Sequence, residues 1–331
     1  MKLATFMSKY LPLLVIIVIS LAVLIGNAWP EVDTLKFLIP FLLFAMLYPM
    51  MINLKVEYIG KALKNPKVII IAIGLNFLLT PLLGALWANI FFVNADPYLS
   101  LGFVLKVVMP CSGMVAAWTG FSKGRVETAL VIIALSLLLA IVLVPLWMLV
   151  LSGEEVDVNP VVLMQSMFLI VVLPLTAGLI SRRTIVRRLG EERFKAISQV
   201  LPAVSSMGML AMVFVIISSQ AATIIDNLQW VALIVLGIAT LYPLLFITSF
   251  ILSRITKIDY GDAMALGFSV TAKNHAITIG VAATAFSGTL AVLPAAVAPL
   301  IQLPIMLAIL RLAPFIRRKL PAVATVEKRS N

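Results

Sequence analysis

The side chains with the most reactive chemistry in this sequence lie in two apolar stretches, around Cys111 and around Lys273. Cys111 is the one thiol in 331 residues, and a soft sulfur ligand suits a thiophilic solute such as trivalent arsenic or antimony hydroxide. The alternative is that a lone cysteine in an apolar helix is a small packing residue. A single cysteine also excludes an internal disulfide or a cysteine-based metal centre, and we predict neither a metal nor a cofactor.

Two lysines and the sole histidine also fall within apolar stretches. An ammonium at mid-membrane is costly, so Lys273 could take the place of a coupling cation, hold an anionic substrate, or take and release a proton. Lys106 is closer to a span end, where it could reach the interface or pair with a helix carboxyl end. His275 is a natural proton carrier, although a lone buried histidine is often simply hydrogen-bonded. Glu127 and Asp262 are each the second residue of a span, and no Asp or Glu lies deeper inside our spans. This distribution argues against a carboxylate site for protons or sodium at mid-membrane.

The elements that carry these residues are long apolar stretches. The sequence is 62% hydrophobic and 12% charged, with a mean hydropathy of +1.13, and this composition excludes an ordinary water-soluble domain. Stretches of roughly 20 residues, enough to cross the hydrocarbon core as a helix, recur along the chain. The sequence therefore predicts an all-α polytopic membrane protein with ten transmembrane helices. We place them at 10–29, 35–53, 67–93, 98–121, 126–151, 160–181, 199–222, 229–253, 261–286 and 289–313.

The loops between these spans differ in charge. Because basic residues stay on the cytoplasmic side, the pattern predicts a multi-pass protein of the cell (inner) membrane with both termini cytoplasmic. This topology accounts for the net charge of +11, and we expect no nucleic-acid partner. The odd-numbered loops hold Glu31, Asp33, Asp96, Glu154, Glu155, Asp157 and Asp226, with Lys36 as their one basic residue. The even-numbered loops include Lys55, Lys61, Lys64, Lys123, Arg125, Arg182, Arg183, Arg187, Arg188, Arg193, Lys195, Arg254 and Lys257.

Three prolines in the first spans each have a counterpart at the same distance further along the chain, which indicates an internal repeat. The pairs are Pro12 with Pro174, Pro40 with Pro202, and Pro81 with Pro243, each 162 positions apart. This separation divides the ten spans into five and five, and because five is odd the second half must enter the membrane from the opposite side. Many secondary transporters share this layout of two inverted repeats. We therefore predict a first five-helix repeat at 1–159, a second at 160–313 and a basic cytoplasmic tail at 314–331.

Inverted repeats place the substrate at mid-membrane, where corresponding helices of the two halves are interrupted. Pro110 removes a backbone donor and Ser112-Gly113 loosens the next turn, so the fourth helix should break there. Polar side chains crowd the corresponding part of the ninth helix, from Thr271 to Thr278. We predict that the fourth and ninth helices are both broken at this depth. The candidate residues are Pro110 and Gly113 for the break, Cys111, Ser112, Asn274 and Thr278 for substrate binding, and Lys273 and His275 for coupling.

Four segments of the sequence carry a family resemblance. They are Met46-Leu47-Tyr48-Pro49; Leu75-Asn76-Phe77 with Thr80-Pro81-Leu82; Cys111 with Met114, Trp118 and Lys123-Gly124; and Asn274 with Ala298-Pro299-Leu300-Ile301-Gln302-Leu303-Pro304. With them, the chain resembles the arsenite efflux permeases of the arsenical-resistance family, within the bile acid:sodium symporter superfamily. The resemblance implies ten helices in a panel and a core domain, with the broken helices four and nine crossing in the core. It also implies alternating access and export of arsenite hydroxide in exchange for protons. It also implies that Cys111 is a substrate ligand, and it adds Asn76 to the substrate-binding residues.

The chain departs from that family where the coupling ion would act. Lys273, Asn274 and Ala276 stand where these permeases have an Asn-Asn pair followed by a glutamate, and Pro110 stands where they commonly have an arginine. Gln302 replaces a glutamate found in many members. We therefore expect Lys273 with His275 to replace the usual ion-coupling group and to allow transport without sodium.

Three functions stay open at this point. The first is arsenite efflux, with protons, a small solute and the lipid bilayer as partners. The second is a carrier of a small organic anion, which two buried lysines without a buried carboxylate would favour. The third is a non-transporting sensor or scaffold. The sequence contains no P-loop, nucleophile elbow or zinc-hydrolase motif, so we predict no enzyme. It leaves open the direction of net transport, the stoichiometry and the oligomeric state, including a homo-oligomer.

Overall fold

A computed structural model describes residues 2–52, 66–152, 156 and 158–320 of the chain, with side chains from Tyr10 onward except at positions 11, 12 and 33. Several charged positions that we used for topology lie outside the described residues. They are Lys55, Lys61, Lys64, Glu154, Glu155, Asp157 and the tail after 320. Within the described ranges the fold is helical, and the one β-type pairing is an isolated bridge. The predicted all-helical class is confirmed.

The helices are numbered here in chain order. They are α1 (Lys2–Ala28), α2 (Ile39–Ile52), α3 (Pro66–Gly74), α4 (Thr80–Phe91), α5 (Pro97–Val108), α6 (Val115–Phe121), α7 (Val126–Leu151), α8 (Pro160–Met167), α9 (Leu173–Leu189), α10 (Glu191–Ser198), α11 (Leu201–Ser219), α12 (Ala221–Asp226), α13 (Leu228–Ile255), α14 (Tyr260–Thr271), α15 (His275–Ala285) and α16 (Leu293–Lys319). Short 3₁₀ segments at Pro30–Leu38 and Leu290–Val292 precede α2 and α16. Short π-helical segments at Leu75–Leu79 and Phe168–Val172 join α3 to α4 and α8 to α9.

Seven continuous helical stretches among the described residues are long and apolar enough to cross a membrane. They are Pro30–Ile52, Pro66–Phe91, Val126–Leu151, Pro160–Leu189, Glu191–Ser219, Leu228–Ile255 and Leu290–Lys319. Shorter apolar helices cover Leu13–Ala28, Pro97–Val108 and His275–Ala285. Two helices run past the span ends that we placed at 181 and 313, to Leu189 and Lys319. Helical backbone bonds continue into the aqueous phase, where arginine and lysine side chains are solvated, so a helix end and a membrane boundary need not coincide.

The π-helical segment at Leu75–Leu79 has a local cause in Pro81. Proline has no N–H, so the carbonyl of Phe77, four residues earlier, loses its usual helical donor. The indole Nε1 of Trp147 on α7 donates to that carbonyl at 2.6 Å, and the Thr80 hydroxyl donates to the Leu75 carbonyl at 2.5 Å. A wider helical turn is thereby stabilised from a neighbouring helix, and it carries Asn76.

The helices pack in two groups. The first group is α1, α2, α9 and α11, in which α2 and α11 approach closely at Gly208. A Cβ there would lie 2.9 Å from the backbone nitrogen of Met46, so only glycine permits this contact. The second group is α4–α7 and α13–α16, with α14 at its centre: all its residues are buried. The helix α15 contacts both groups.

Candidate functional site

Two interrupted helices meet at the centre of the second group. The segment between α5 and α6 pairs with the segment between α14 and α15 as a short antiparallel bridge, in which Cys111 and Lys273 are opposite. The Ser112 amide donates to the Ala272 carbonyl at 2.8 Å, and the Asn274 amide donates to the Pro110 carbonyl at 3.0 Å. Four helix ends therefore converge, and each unwound segment satisfies backbone groups of the other.

Local sequence explains both interruptions. Met109 precedes a proline and is extended, with φ −56° and ψ 152°, which ends α5. Pro110 and Gly113 lie in the non-helical segment that follows. Asn274 begins α15 as its N-cap, because its Oδ1 accepts from the Ile277 amide at 3.1 Å. The hydroxyl of Thr278 donates to the Asn274 carbonyl at 2.5 Å. The oxygens of these two predicted substrate-binding residues thus hold the break together in this conformation.

Lys273 and Asn76 are brought into direct contact. The Lys273 ammonium is fully buried, and its Nζ donates to Asn76 Oδ1 at 3.0 Å. The Asn76 amide nitrogen in turn donates to the Ala72 carbonyl at 3.0 Å and lies 3.4 Å from Ser269 Oγ. Gln302 on α16 fixes the backbone of Lys273, since its Oε1 accepts from the Lys273 amide at 3.2 Å. Two side-chain amides therefore fix Lys273 at the crossing: Asn76 binds its Nζ, and Gln302 binds its backbone.

The thiol of Cys111 faces α7 and is fully buried. Its Sγ lies 3.1 Å from Ser136 Oγ, whose hydroxyl also bonds the Ile133 carbonyl at 3.0 Å. A cavity of about 10 Å³ adjoins this contact, close to the space of a single water. Asn76, Ser136, Ile69, Ala72, Ile73, Phe77, Ile132 and Leu135 line it. The small cavity thus touches the partners of both Cys111 and Lys273, but it is too small for a polyatomic solute.

The two remaining candidates lie at the edges of the crossing. Ser112 is half-buried, and its Oγ accepts from the Met114 amide at 3.2 Å. His275 is half-buried in the first turn of α15, and its Nδ1 is buried without a hydrogen-bond partner among the described residues. Beside it, the amide nitrogen of Asn274 contacts the sulfur of Met50 in the first group at 3.7 Å. This side of the crossing therefore faces the boundary between the two groups.

A larger cavity of about 330 Å³ lies at that boundary. Its lining comes from both groups and is rich in amide and hydroxyl side chains. The lining residues are Lys36, Ile39, Pro40, Ile216, Ser219, Gln220, Ala283, Thr284, Ser287, Gly288, Thr289 and Val292. The Gln220 amide spans the boundary to the Thr289 carbonyl at 3.4 Å. A polar solute of a few heavy atoms fits this volume.

An ion-pair network fastens the α6–α7 turn to the start of α14. The Arg125 guanidinium contacts Asp259 at 2.8 Å and also pairs with Asp262, which is almost fully buried. Thr128 donates to Asp262 at 2.6 Å, and the Arg125 amide donates to the Gly261 carbonyl at 2.9 Å. Burial alone would lower the pKa of the Arg125 guanidinium, but the bonds and charges of the two carboxylates outweigh burial and raise that pKa. The network ties together the two helices that carry the breaks.

Replacing Arg125 by glutamine is expected to lower the unfolding free energy by about 2 kcal/mol, because Asp262 would keep its burial and lose its counter-charge. We expect less than the roughly 3–5 kcal/mol typical of fully buried pairs, since the Arg125 side chain is 31% exposed. Thermal unfolding of the purified protein in detergent measures the effect. Arg254→Gln, at an exposed arginine, is the matched control. Equal melting temperatures for the two variants would contradict a stabilising role for the network.

Sequence reasoning missed two residues that support the site. Ser136 bonds the thiol, but one serine in an apolar span gives no signal that distinguishes it from ordinary packing. Gln302 was noted only as a departure from the family, although a buried amide between two prolines in an apolar span signals a backbone partner. The structure supplies that partner as the backbone of Lys273.

Sequence comparison places these features in a family. The sequence profile of the Sodium Bile acid symporter family matches residues 40–227, more than half of the chain. The chain is 29% identical to the arsenical-resistance protein Acr3 of Alkaliphilus metalliredigens, over 96% of this chain and 95% of that protein. It is 26% identical to an uncharacterized transporter of Synechocystis, over 90% of this chain and 86% of the relative. An uncharacterized sodium-dependent transporter of Bacillus subtilis is 25% identical over 85% of this chain and 84% of its own length.

These relatives are transporters and not enzymes, and the apolar helices are those of a multi-pass membrane protein. The family resemblance that the motifs suggested is therefore confirmed. The chain belongs to the Sodium Bile acid symporter family.

Proposed function

We propose that this protein is a secondary carrier that exports a trivalent arsenic or antimony hydroxide across the cell membrane by alternating access. The observation that carries the proposal is the crossing itself, where a thiol and a buried ammonium lie opposite each other on two unwound segments. The choice of solute is supported by the relative that is named an arsenical-resistance protein, which aligns with 96% of this chain. The sensor or scaffold alternative receives no support from relatives that are named as transporters.

We infer ten membrane crossings in two inverted repeats. The seven long stretches and α1 would each cross once, and the interrupted pairs α5–α6 and α14–α15 would each cross as one broken helix. An even number leaves both termini on one side, and the basic ends place them in the cytoplasm. The repeats would then occupy 1–159 and 160–313, with the first and second groups as panel and core. In this orientation the 330 Å³ cavity opens toward the outside.

Lys273 takes the part of a coupling cation in this proposal. Its ammonium lies at the crossing and donates to the amide oxygen of Asn76, and no carboxylate of the described residues is hydrogen-bonded to it. A cation that is covalently attached needs no sodium from solution, so transport should be sodium-independent. His275, at the boundary between the groups, would carry the exchanged proton, or Lys273 would release one when the groups separate.

The solute would reach Cys111 from the boundary between the groups. Ser112, Asn274 and Thr278 would lie on that path and would bind the solute hydroxyls once their present local bonds exchange. Asn76 would contribute from the opposite side of the crossing. The thiol is now covered by Ser136, so a step that opens the contact between the crossing and α7 must precede binding of arsenic to Sγ.

Flux through proteoliposomes that contain the purified protein tests this function. We expect protons that move down their gradient to drive arsenite in the opposite direction. The rate should be the same in sodium and in choline buffers. A strong sodium requirement would contradict the role of Lys273, whereas absence of arsenite flux in either buffer would contradict the solute. Growth of an arsenite-sensitive host with and without the gene provides an independent measurement of the same activity.

An organic anion is the second candidate solute. Lys106 and Lys273 are both fully buried, and the one buried carboxylate among the described residues, Asp262, is already paired with Arg125. The core therefore has an excess of positive charge that would suit a carboxylate. Thermal stabilisation of the purified protein by a panel of small organic acids, but not by arsenite, would favour this candidate over the first.

A further inference from the structure

Lys106 on α5 differs from Lys273 because no hydrogen-bond acceptor satisfies its ammonium. Both side chains are fully buried, but Lys106 Nζ has no partner among the described residues. Its Nζ lies over the ring of Tyr242 on α13, 6.0 Å from the ring centroid. A buried ammonium without an acceptor or a counter-charge is strongly unfavourable, so this site is incomplete as it stands.

Two further polar atoms around Lys106 share this condition. The hydroxyl of Tyr242 is fully buried and has no hydrogen-bond partner among the described residues, and the same is true of His275 Nδ1. The helix α5, which carries Lys106, packs against α15, which begins at His275. An ammonium, a phenol and an imidazole from three different helices can all donate hydrogen bonds, and none of them has an acceptor.

The charges around Lys106 that can act on a bound ligand are positive. Positive charges on Lys106 and Lys273 would repel each other, and the helix α15 presents the positive end of its dipole at His275. Asp262, the buried carboxylate of the described residues, is occupied by Arg125 and Thr128 at the far end of α14. The protein therefore provides donors and positive potential at Lys106 but no compensating anion.

We propose that Lys106, Tyr242 and His275 form a binding site for one small monovalent anion, either a halide ion or the carboxylate of a small organic acid. His275 is half-buried at the start of α15, the helix that contacts both groups, so this side of the site is not fully enclosed. The site is separate from Cys111 and does not depend on arsenite export. Its anion would neutralise one of the two buried lysines and relieve their repulsion.

Thermal unfolding of the purified full chain in detergent, at fixed ionic strength, tests the proposal. The salts are sodium chloride, sodium acetate and sodium isethionate, whose anion is bulkier. We expect chloride, acetate or both to raise the melting temperature saturably by about 3 °C relative to isethionate. Stabilisation by chloride alone would identify a halide site, and stabilisation by acetate alone would identify a carboxylate site. A melting temperature that is the same in all three salts would overturn the proposal.

Two variants locate the effect. Lys106→Met should abolish the anion dependence and should melt higher than the wild type in isethionate, because the uncompensated charge is gone. Tyr242→Phe keeps the ring and removes one donor, so it should weaken the apparent anion affinity about tenfold while the protein stays folded. Lys195→Met, at an exposed lysine on α10, is the matched control and should behave as the wild type. Anion stabilisation that persists unchanged in Tyr242→Phe, or in a folded Lys106→Met protein, would contradict this site.

Discussion

Replacing Lys273 by alanine is expected to reduce transport to below about a tenth of the wild-type rate in proteoliposomes. The ammonium donates to Asn76 at the crossing, and its removal would leave a buried amide oxygen unpaired and a cation position empty. We expect Lys106→Ala to impair transport less, since Lys106 lies on α5, outside the paired unwound segments, and makes no hydrogen bond to them among the described residues. Flux measured for both variants at equal protein density provides the comparison.

The sodium dependence of these variants separates a coupling role from a structural one. If Lys273 takes the place of a transported ion, the transport rate of the wild type should not depend on sodium. Lys273→Ala should lose transport while it stays folded. Melting temperatures of the two lysine variants therefore accompany the flux data. A stable Lys273→Ala protein with wild-type flux in choline would remove the ammonium from the mechanism. Asn76→Leu, which removes the amide that holds the ammonium, should reproduce the loss.

Replacing Cys111 by serine is expected to abolish arsenite resistance in a sensitive host. Serine is nearly isosteric and can keep the bond to Ser136, but its oxygen is a hard ligand with little affinity for trivalent arsenic. We expect arsenite flux to fall by about tenfold or more, which corresponds to a loss of at least about 1.4 kcal/mol. Dose–response growth curves and proteoliposome flux both measure the effect.

Ser136→Ala is the control for the thiol. It removes the hydrogen-bond partner of Cys111 while it keeps the sulfur, so it should retain transport if sulfur is the ligand. If Cys111→Ser confers full resistance, the thiol has no part in transport and the organic-anion candidate gains weight. If both variants lose function and stability together, the contact with α7 matters for packing instead.

The sequence could predict the parts of this protein that depend on composition and local chemistry. Long apolar stretches without charge have no alternative in a bilayer but helices, so the helical class and most span positions followed from hydropathy alone. Pro110 and Asn274 affect only the backbone close to them in the chain. The proline removes a backbone donor, and the asparagine caps the helix that follows it. Spacing around Cys111 was specific enough to indicate the family that the sequence comparison shows.

The contacts at the site could not be predicted, because they join residues far apart in the chain. Whether Lys273 would meet a carboxylate, a lipid headgroup or an amide depends on which helix packs beside α14, and the structure places Asn76 there at 3.0 Å. The direction of the Cys111 thiol likewise depends on the rotation of one unwound segment against α7, which turns it toward Ser136 and away from the larger cavity. Local sequence thus determined where the helices break. Tertiary packing decided what each freed side chain touches, since burial removes water and leaves only neighbouring helices as partners.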